Sequence, residues 1–151
     1  MHTQDPIHTL NALIETCNNG DRGFRNAAQH AHAPDLRDFF LRRAEECQEA
    51  CLELRAEVVQ LGGTAATGGT AGGAIRRGWA SLLEMLSSDS DLTMLEACER
   101  GEDAAMAEYR DALAQPLPDD IRQLIERQYE GVKRNHNAVR SLRDQARAMH
   151  S

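Results

Sequence analysis

Gly62-Gly63-Thr64-Ala65-Ala66-Thr67-Gly68-Gly69-Thr70-Ala71-Gly72-Gly73-Ala74-Ile75-Arg76-Arg77-Gly78 decides the fold. Seven of the eleven glycines of the chain fall in it. A phosphate-cradling loop would read GxGxxG after a strand, or GxxxxGK followed by Ser or Thr. Neither pattern is present and no strand precedes the stretch, so it reads as a crossover between helical segments. Ile75, Trp79, Leu82, Leu83 and Leu86 then resume helical spacing, which predicts a short extra helix over about 74–87. The whole link has about 27 residues, and its helix alone reaches about 20 Å at 1.5 Å per residue. A link of that length carries the chain back along a bundle and makes the second and third long helices parallel. That is the ferritin-like topology rather than up-down-up-down.

The flanks of the crossover supply the four long helices. On its N-terminal side Ile7, Leu10, Ile14, Cys17, Phe24, Ala28 and Ala31 keep one stripe across Asn18-Asn19-Gly20-Asp21-Arg22-Gly23. The stripe stays in phase through that turn-like run, so one helix is predicted over about 5–31. A second phase through Leu10, Leu13, Cys17, Gly20 and Phe24 puts Gly20 on the contact line, where a missing side chain permits close approach. Pro34 and Asp35 open the second helix, which carries Phe40, Ala44, Cys47, Cys51, Leu54, Val58 and Leu61 until Gly62-Gly63 stops it. Ser88-Asp89-Ser90-Asp91 is a start signal for the third helix. Pro116-Leu117-Pro118-Asp119-Asp120 opens the fourth, with Ile121, Ile125, Val132, Val139 and Leu142 inside. The expectation is an all-α, ferritin-like four-helix bundle forming a single domain over residues 1–151.

Composition narrows the function classes. The chain has 151 residues, 41% apolar and 4% aromatic, with 17 basic against 24 acidic side chains and a net charge of −7. That acidity disfavours a nucleic-acid surface, which needs clustered Lys and Arg. No apolar run approaches the length of a membrane span, and Met1-His2-Thr3-Gln4-Asp5 lacks the layout of a secretory signal. Four cysteines in that context are expected to be reduced thiols in a cytoplasm.

Chemistry in a bundle is built from polar side chains on the inner stripe. In the third helix one heptad phase puts Glu99 and Glu102 on the seam, and the alternative phase keeps Glu102 inside. In the fourth helix Gln128 and Asn135 fall on the seam with Tyr129 and His136 beside them; Arg43, Glu46 and Glu53 flank it in the second, and Asp21 in the first. Counting from the hairpin loops places Glu99 and Glu102 level with residues 132–135, close to His136, and Asp21 level with Glu46. Carboxylates and a histidine in one layer are how ferritin-like proteins hold iron or manganese. Glu99, Glu102, His136 and Glu46 are therefore the candidate metal ligands, with Fe or Mn as the candidate metal. Against this, the Glu-x-x-His pair of a di-iron bundle is absent: Lys133 stands three residues before His136. The plain alternative is a structural layer in which Glu102 pairs with Arg43 or hydrogen-bonds His136, Tyr109 and Asn135, because buried charges need partners. Cys17, Cys47 and Cys51 form a softer group at one height, able in principle to take Cu(I) or Zn, or to act as small core residues. No nucleophilic triad stands out, so the reading leans away from catalysis.

Leu10-Asn11-Ala12-Leu13-Ile14-Glu15-Thr16, Gly20-Asp21-Arg22-Gly23-Phe24, Arg77-Gly78-Trp79, Glu99-Arg100-Gly101-Glu102-Asp103-Ala104 and Tyr109 together resemble a bacterial family catalogued as domain of unknown function 2383. The resemblance covers about residues 7–145 and implies a ferritin-like bundle with no established activity. Many relatives have His-Arg-Gly-Trp at the crossover, whereas Arg76 stands before Arg77-Gly78-Trp79 here, so no crossover histidine carries over. Two functional expectations result. One is a metal-binding or oxidative-stress protein using the four ligands above. The other is a metal-free structural or interaction bundle, dimeric or larger through apolar surface near Trp79 and Phe39.

Overall fold

The computed structural model describes residues 5–66, Trp79 and 90–150. Four helices account for most of them: α1 (Pro6–His30), α2 (Pro34–Gln60), α3 (Asp91–Leu113) and α4 (Asp119–His150). No strand occurs among the described residues. The short extra helix expected over 74–87 and the Arg76-Arg77 pair lie outside the described residues, Trp79 apart.

The helix ends follow the residues that favour them. The Asp5 side chain accepts the Ile7 N–H at 2.9 Å, and Pro6 occupies the first helical turn of α1, a cap worth about 1 kcal/mol. α1 runs unbroken through Asn18–Gly23 because its buried stripe continues on both sides of that run. α2 ends at Gly62, whose φ of +80° suits glycine and few other residues. Ser90 caps α3 by accepting the Thr93 N–H at 3.1 Å.

Topology is fixed by contacts between the ends. Asp91, the first residue of α3, accepts the backbone N–H groups of His32 and Ala33 at 2.8 and 3.1 Å, in the loop joining α1 to α2. At the opposite pole Asn11 is bonded to the backbone of Thr64 and Ala66, just past the end of α2. α2 and α3 therefore start at the same pole and run parallel, as the crossover length predicts.

The interior has two apolar halves. Phe24, Phe40, Ala44, Met94 and Leu95 fill the half near the α1–α2 loop; Leu10, Leu13, Ile14, Leu54 and Ile125 fill the other. Between them lie the buried polar side chains Arg43, Glu102, Gln128 and His136. Gly20 sits where expected: a Cβ there would meet Cys47 Sγ at 2.9 Å. The expected apolar surface near Trp79 and Phe39 is not what the chain presents. Trp79 is only 1% exposed, edge-on to Phe24 with ring centres 5.1 Å apart, and Phe39 is half-buried. A large indole comes to rest inside the bundle because Gly101 leaves room for it. The exposed large apolar side chains include Leu41, Leu52 and Val59, all on α2. Among the described residues no helix is long and apolar enough to cross a membrane.

Candidate functional site

Glu102, midway along the buried stripe of α3, is 1% exposed. Burial pushes its carboxyl above the ordinary carboxylate range, with Arg43 pulling the other way. Arg43 of α2 donates to Glu102 Oε1 from both Nε (3.3 Å) and Nη2 (3.1 Å). Its Nη1 reaches Glu46 Oε1 at 3.1 Å, and its guanidinium lies 5.0 Å from the Phe24 ring centre. A single cation is thus held by one buried carboxylate, one exposed carboxylate and one aromatic face.

The four candidate ligands are not brought to one point. Glu102 and Glu46 are both paired to Arg43. Glu99 is half-buried and paired to Arg143, with Arg140 Nε 3.8 Å away. His136 is buried, but its Nε2 meets Asp103 Oδ1 at 2.6 Å rather than Glu102. Asp21 is spent on Arg25, one turn along its own helix, at 2.7 Å. Among the described residues no group of three His, Cys, Asp or Glu side chains converges in a way that could hold a metal ion. The height count centres the second loop near 117, but the Asp103–His136 and Tyr109–Gln128 pairs set the register a few residues further along α4, so Glu99 is met by residues 140 and 143 instead of 132–135.

Asp103 was missed because it lies on the exposed flank of α3, its side chain 62% accessible, and a search of inward positions passes over it. Tyr109 and Gln128, both seen as inward, form a directed chain. The Gln128 amide is oriented by giving Nε2 to Glu53 Oε1 (3.1 Å) and to the Ala50 carbonyl (3.3 Å). Its Oε1 is then free to accept from the Tyr109 hydroxyl at 2.8 Å. With that proton committed, Cys17 S–H donates to the Tyr109 oxygen at 3.4 Å. A buried thiol is so connected through two side chains to Glu53, at the rim, where Arg127 Nη2 binds the other carboxylate oxygen at 2.9 Å. A cavity of about 310 Å³ lies along this seam between α2 and α4, lined among others by Cys17, Arg43, Cys47, Trp79, Glu102 and Gln128.

All four cysteines are free thiols. Burial raises Cys17 from its ordinary 9.0 to about 12, and raises Cys47 and Cys98 as well. Only the thiolate reacts, and burial disfavours it at all three sites. Alkylation of Cys17 in the native protein at pH 8 is expected to be about a thousandfold slower than in the urea-unfolded chain, one factor of ten per unit. Peptide mass spectrometry after timed labelling reads this, and comparable native and unfolded rates would contradict it. Because folding retains the Cys17 proton, stability should fall as pH rises from about 9 towards 12.

Solved structures share the fold at low sequence identity. A protein from Anabaena variabilis, described as two-domain with DJ-1/ThiJ/PfpI-like and ferritin-like domains, superposes with a TM-score of 0.76 at 11% identity, over 94% of this chain and 40% of that one. This chain therefore spans well under half the length of that protein. The bacterioferritin-related protein of Bacteroides fragilis, described as a dodecameric thioferritin, gives a TM-score of 0.76 at 15% identity over 96% of this chain and 88% of that one. At such identities the likeness establishes the ferritin-like fold. No curated protein matches the sequence. The family described as Domain of unknown function (DUF2383) matches residues 5–115, and the chain belongs to it.

Proposed function

We propose that the chain is a metal-free ferritin-like bundle that acts by binding to other protein surface rather than by turnover. The observation that carries the metal-free part is the Arg43–Glu102 pair; the exposed Leu52 and Val59 of α2 support the binding part. Iron or manganese in such a bundle is held by several inward carboxylates and histidines whose negative charge exceeds what the protein neutralises. Here Glu102, the one fully buried carboxylate among the described residues, accepts two hydrogen bonds from a guanidinium at 3.1 and 3.3 Å, and His136 faces a different acid. This donor set does not fit a two-metal centre: its buried carboxylate is already paired to a fixed cation. Four free thiols, three with burial-raised pKa values, suit a reducing compartment such as the cytoplasm.

The test uses protein purified without a polyhistidine tag. Elemental analysis after dialysis should find Fe and Mn far below one per chain. Added Mn(II) or anaerobic Fe(II) should leave the Tm unchanged, since a ligand that binds the native state must raise it. Stoichiometric metal that is lost in Glu102→Gln would overturn the reading.

A further inference from the structure

Leu41, Leu52 and Val59 of α2 are 39%, 66% and 66% exposed. At 100° per residue, steps of eleven and seven nearly close whole turns, so the three share one stripe. Its complete run is Leu41, Glu45, Gln48, Leu52, Arg55 and Val59, alternating steps of four and three. That is the spacing of a two-stranded coiled-coil seam. All six are exposed except Arg55, which is half-buried. A separate stripe of α2, running through Leu36, Phe40, Ala44, Cys51, Leu54 and Val58, is the one used inside the bundle. The helix therefore carries two seams, one inward and one outward.

The outward seam is complementary to itself when reversed. About a two-fold axis level with residue 50, an antiparallel copy brings Leu41 against Val59, Glu45 against Arg55, and Gln48 against Leu52. Each layer is then apolar on apolar, acid on base, or amide on leucine. A parallel copy would instead oppose Glu45 to Glu45 and Arg55 to Arg55. Closed two-fold pairing demands a surface of this self-matching kind. Arg55 is positioned for it, since its Nε is occupied by Cys51 Sγ at 3.3 Å and the outer end of the fork remains to reach across. Gln48 is steadied by Arg25 of α1, whose Nη2 donates to its Oε1 at 3.1 Å.

We propose that the outward seam of α2 pairs two copies of this chain antiparallel, with Leu41, Leu52 and Val59 as its apolar core and Glu45–Arg55 as its register-setting ion pairs. This rests on the interaction reading above and names its partner as a second copy. Light scattering of the full chain should give a mass that is an even multiple of 16.7 kDa. Leu52→Glu should weaken the pairing at least about a hundredfold and halve that mass. Glu45→Arg alone, and Arg55→Glu alone, should each weaken it by opposing like charges, and the double exchange should restore it. A merely sticky patch would not show that restoration. Far-UV circular dichroism separates dissociation from misfolding. A monomeric parent chain, a mass indifferent to Leu52→Glu, or a double exchange no better than its singles would each overturn the pairing. Metal analysis of the same samples keeps the two readings apart: a metal-free monomer sinks the pairing alone, and an iron-loaded dimer supports the pairing while sinking the metal-free reading.

Discussion

Arg43→Met will destabilise the bundle by about 3–5 kcal/mol, because it leaves the Glu102 carboxylate buried without its partner. For a chain of this length that lowers the Tm by roughly 10 °C or more. Contacts to three partners go together: both hydrogen bonds to Glu102 Oε1, the bond to Glu46, and the cation–ring contact with Phe24. Glu102→Gln should cost less, since Arg43 keeps Glu46 and the cavity wall to hold its charge. Arg43→Met combined with Glu102→Met should recover most of the loss or exceed the parent, as well-packed apolar pairs often do in place of buried ion pairs. The sign with pH is also set. The Glu102 carboxyl is already raised by burial, and losing Arg43 removes the main lowering influence. Its proton is therefore bound more tightly in the folded state, so the single variant gains stability as pH falls and loses it as pH rises. Urea titrations of the four proteins at two pH values measure all of this. A single variant within about 1 kcal/mol of the parent would remove the ion pair from the centre of the fold.

The sequence made the helices and their order legible because each rests on something local or additive. A stripe of apolar residues, a proline at a first turn and a crossover too long for a hairpin do not depend on knowing the neighbours. Glu102 was legible for the same reason, since both phases of α3 turn it inward. Partner choice was not. Whether Glu99 meets His136 or Arg143 depends on where a flexible side chain of several bonds comes to rest, and periodicity carries no information on that. His136 shows a related limit: its ring is buried but its acceptor, Asp103, stands on the exposed flank. Trp79 was misread because it belongs to the short helix expected in the crossover, whose spacing gives it an apolar face but does not say which long helix that face meets. The signal for its position was elsewhere, in a glycine at mid-helix where alanine would be the better helix former.

That glycine makes the second large prediction, which turns on a change of sign. Gly101 lies in the middle of α3, so Gly101→Ala on an isolated helix would stabilise by about 1 kcal/mol. In this bundle the new Cβ would lie 2.4 Å from Trp79 Cδ2 and Cε2 and 2.6 Å from Cε3, rigid atoms of a fully buried ring. The clash at Gly20 involves a thiol that can rotate away; an indole wedged against Phe24 cannot. Overpacking of this kind costs about 1–3 kcal/mol, and complete ejection of the ring approaches the 3–5 kcal/mol of a Trp→Ala truncation. A net loss of about 2 kcal/mol or more is expected for Gly101→Ala. Trp79 is the one tryptophan of the chain, so its emission should shift to the red as the ring is pushed towards water. In a Trp79→Ala background the obstruction is gone, and Gly101→Ala should then stabilise by the helix-propensity gain of about 1 kcal/mol. A Gly101→Ala variant as stable as the parent, with unshifted emission, would show that the indole does not rest on α3, and the Gly101 and Trp79 positions would have to be explained separately.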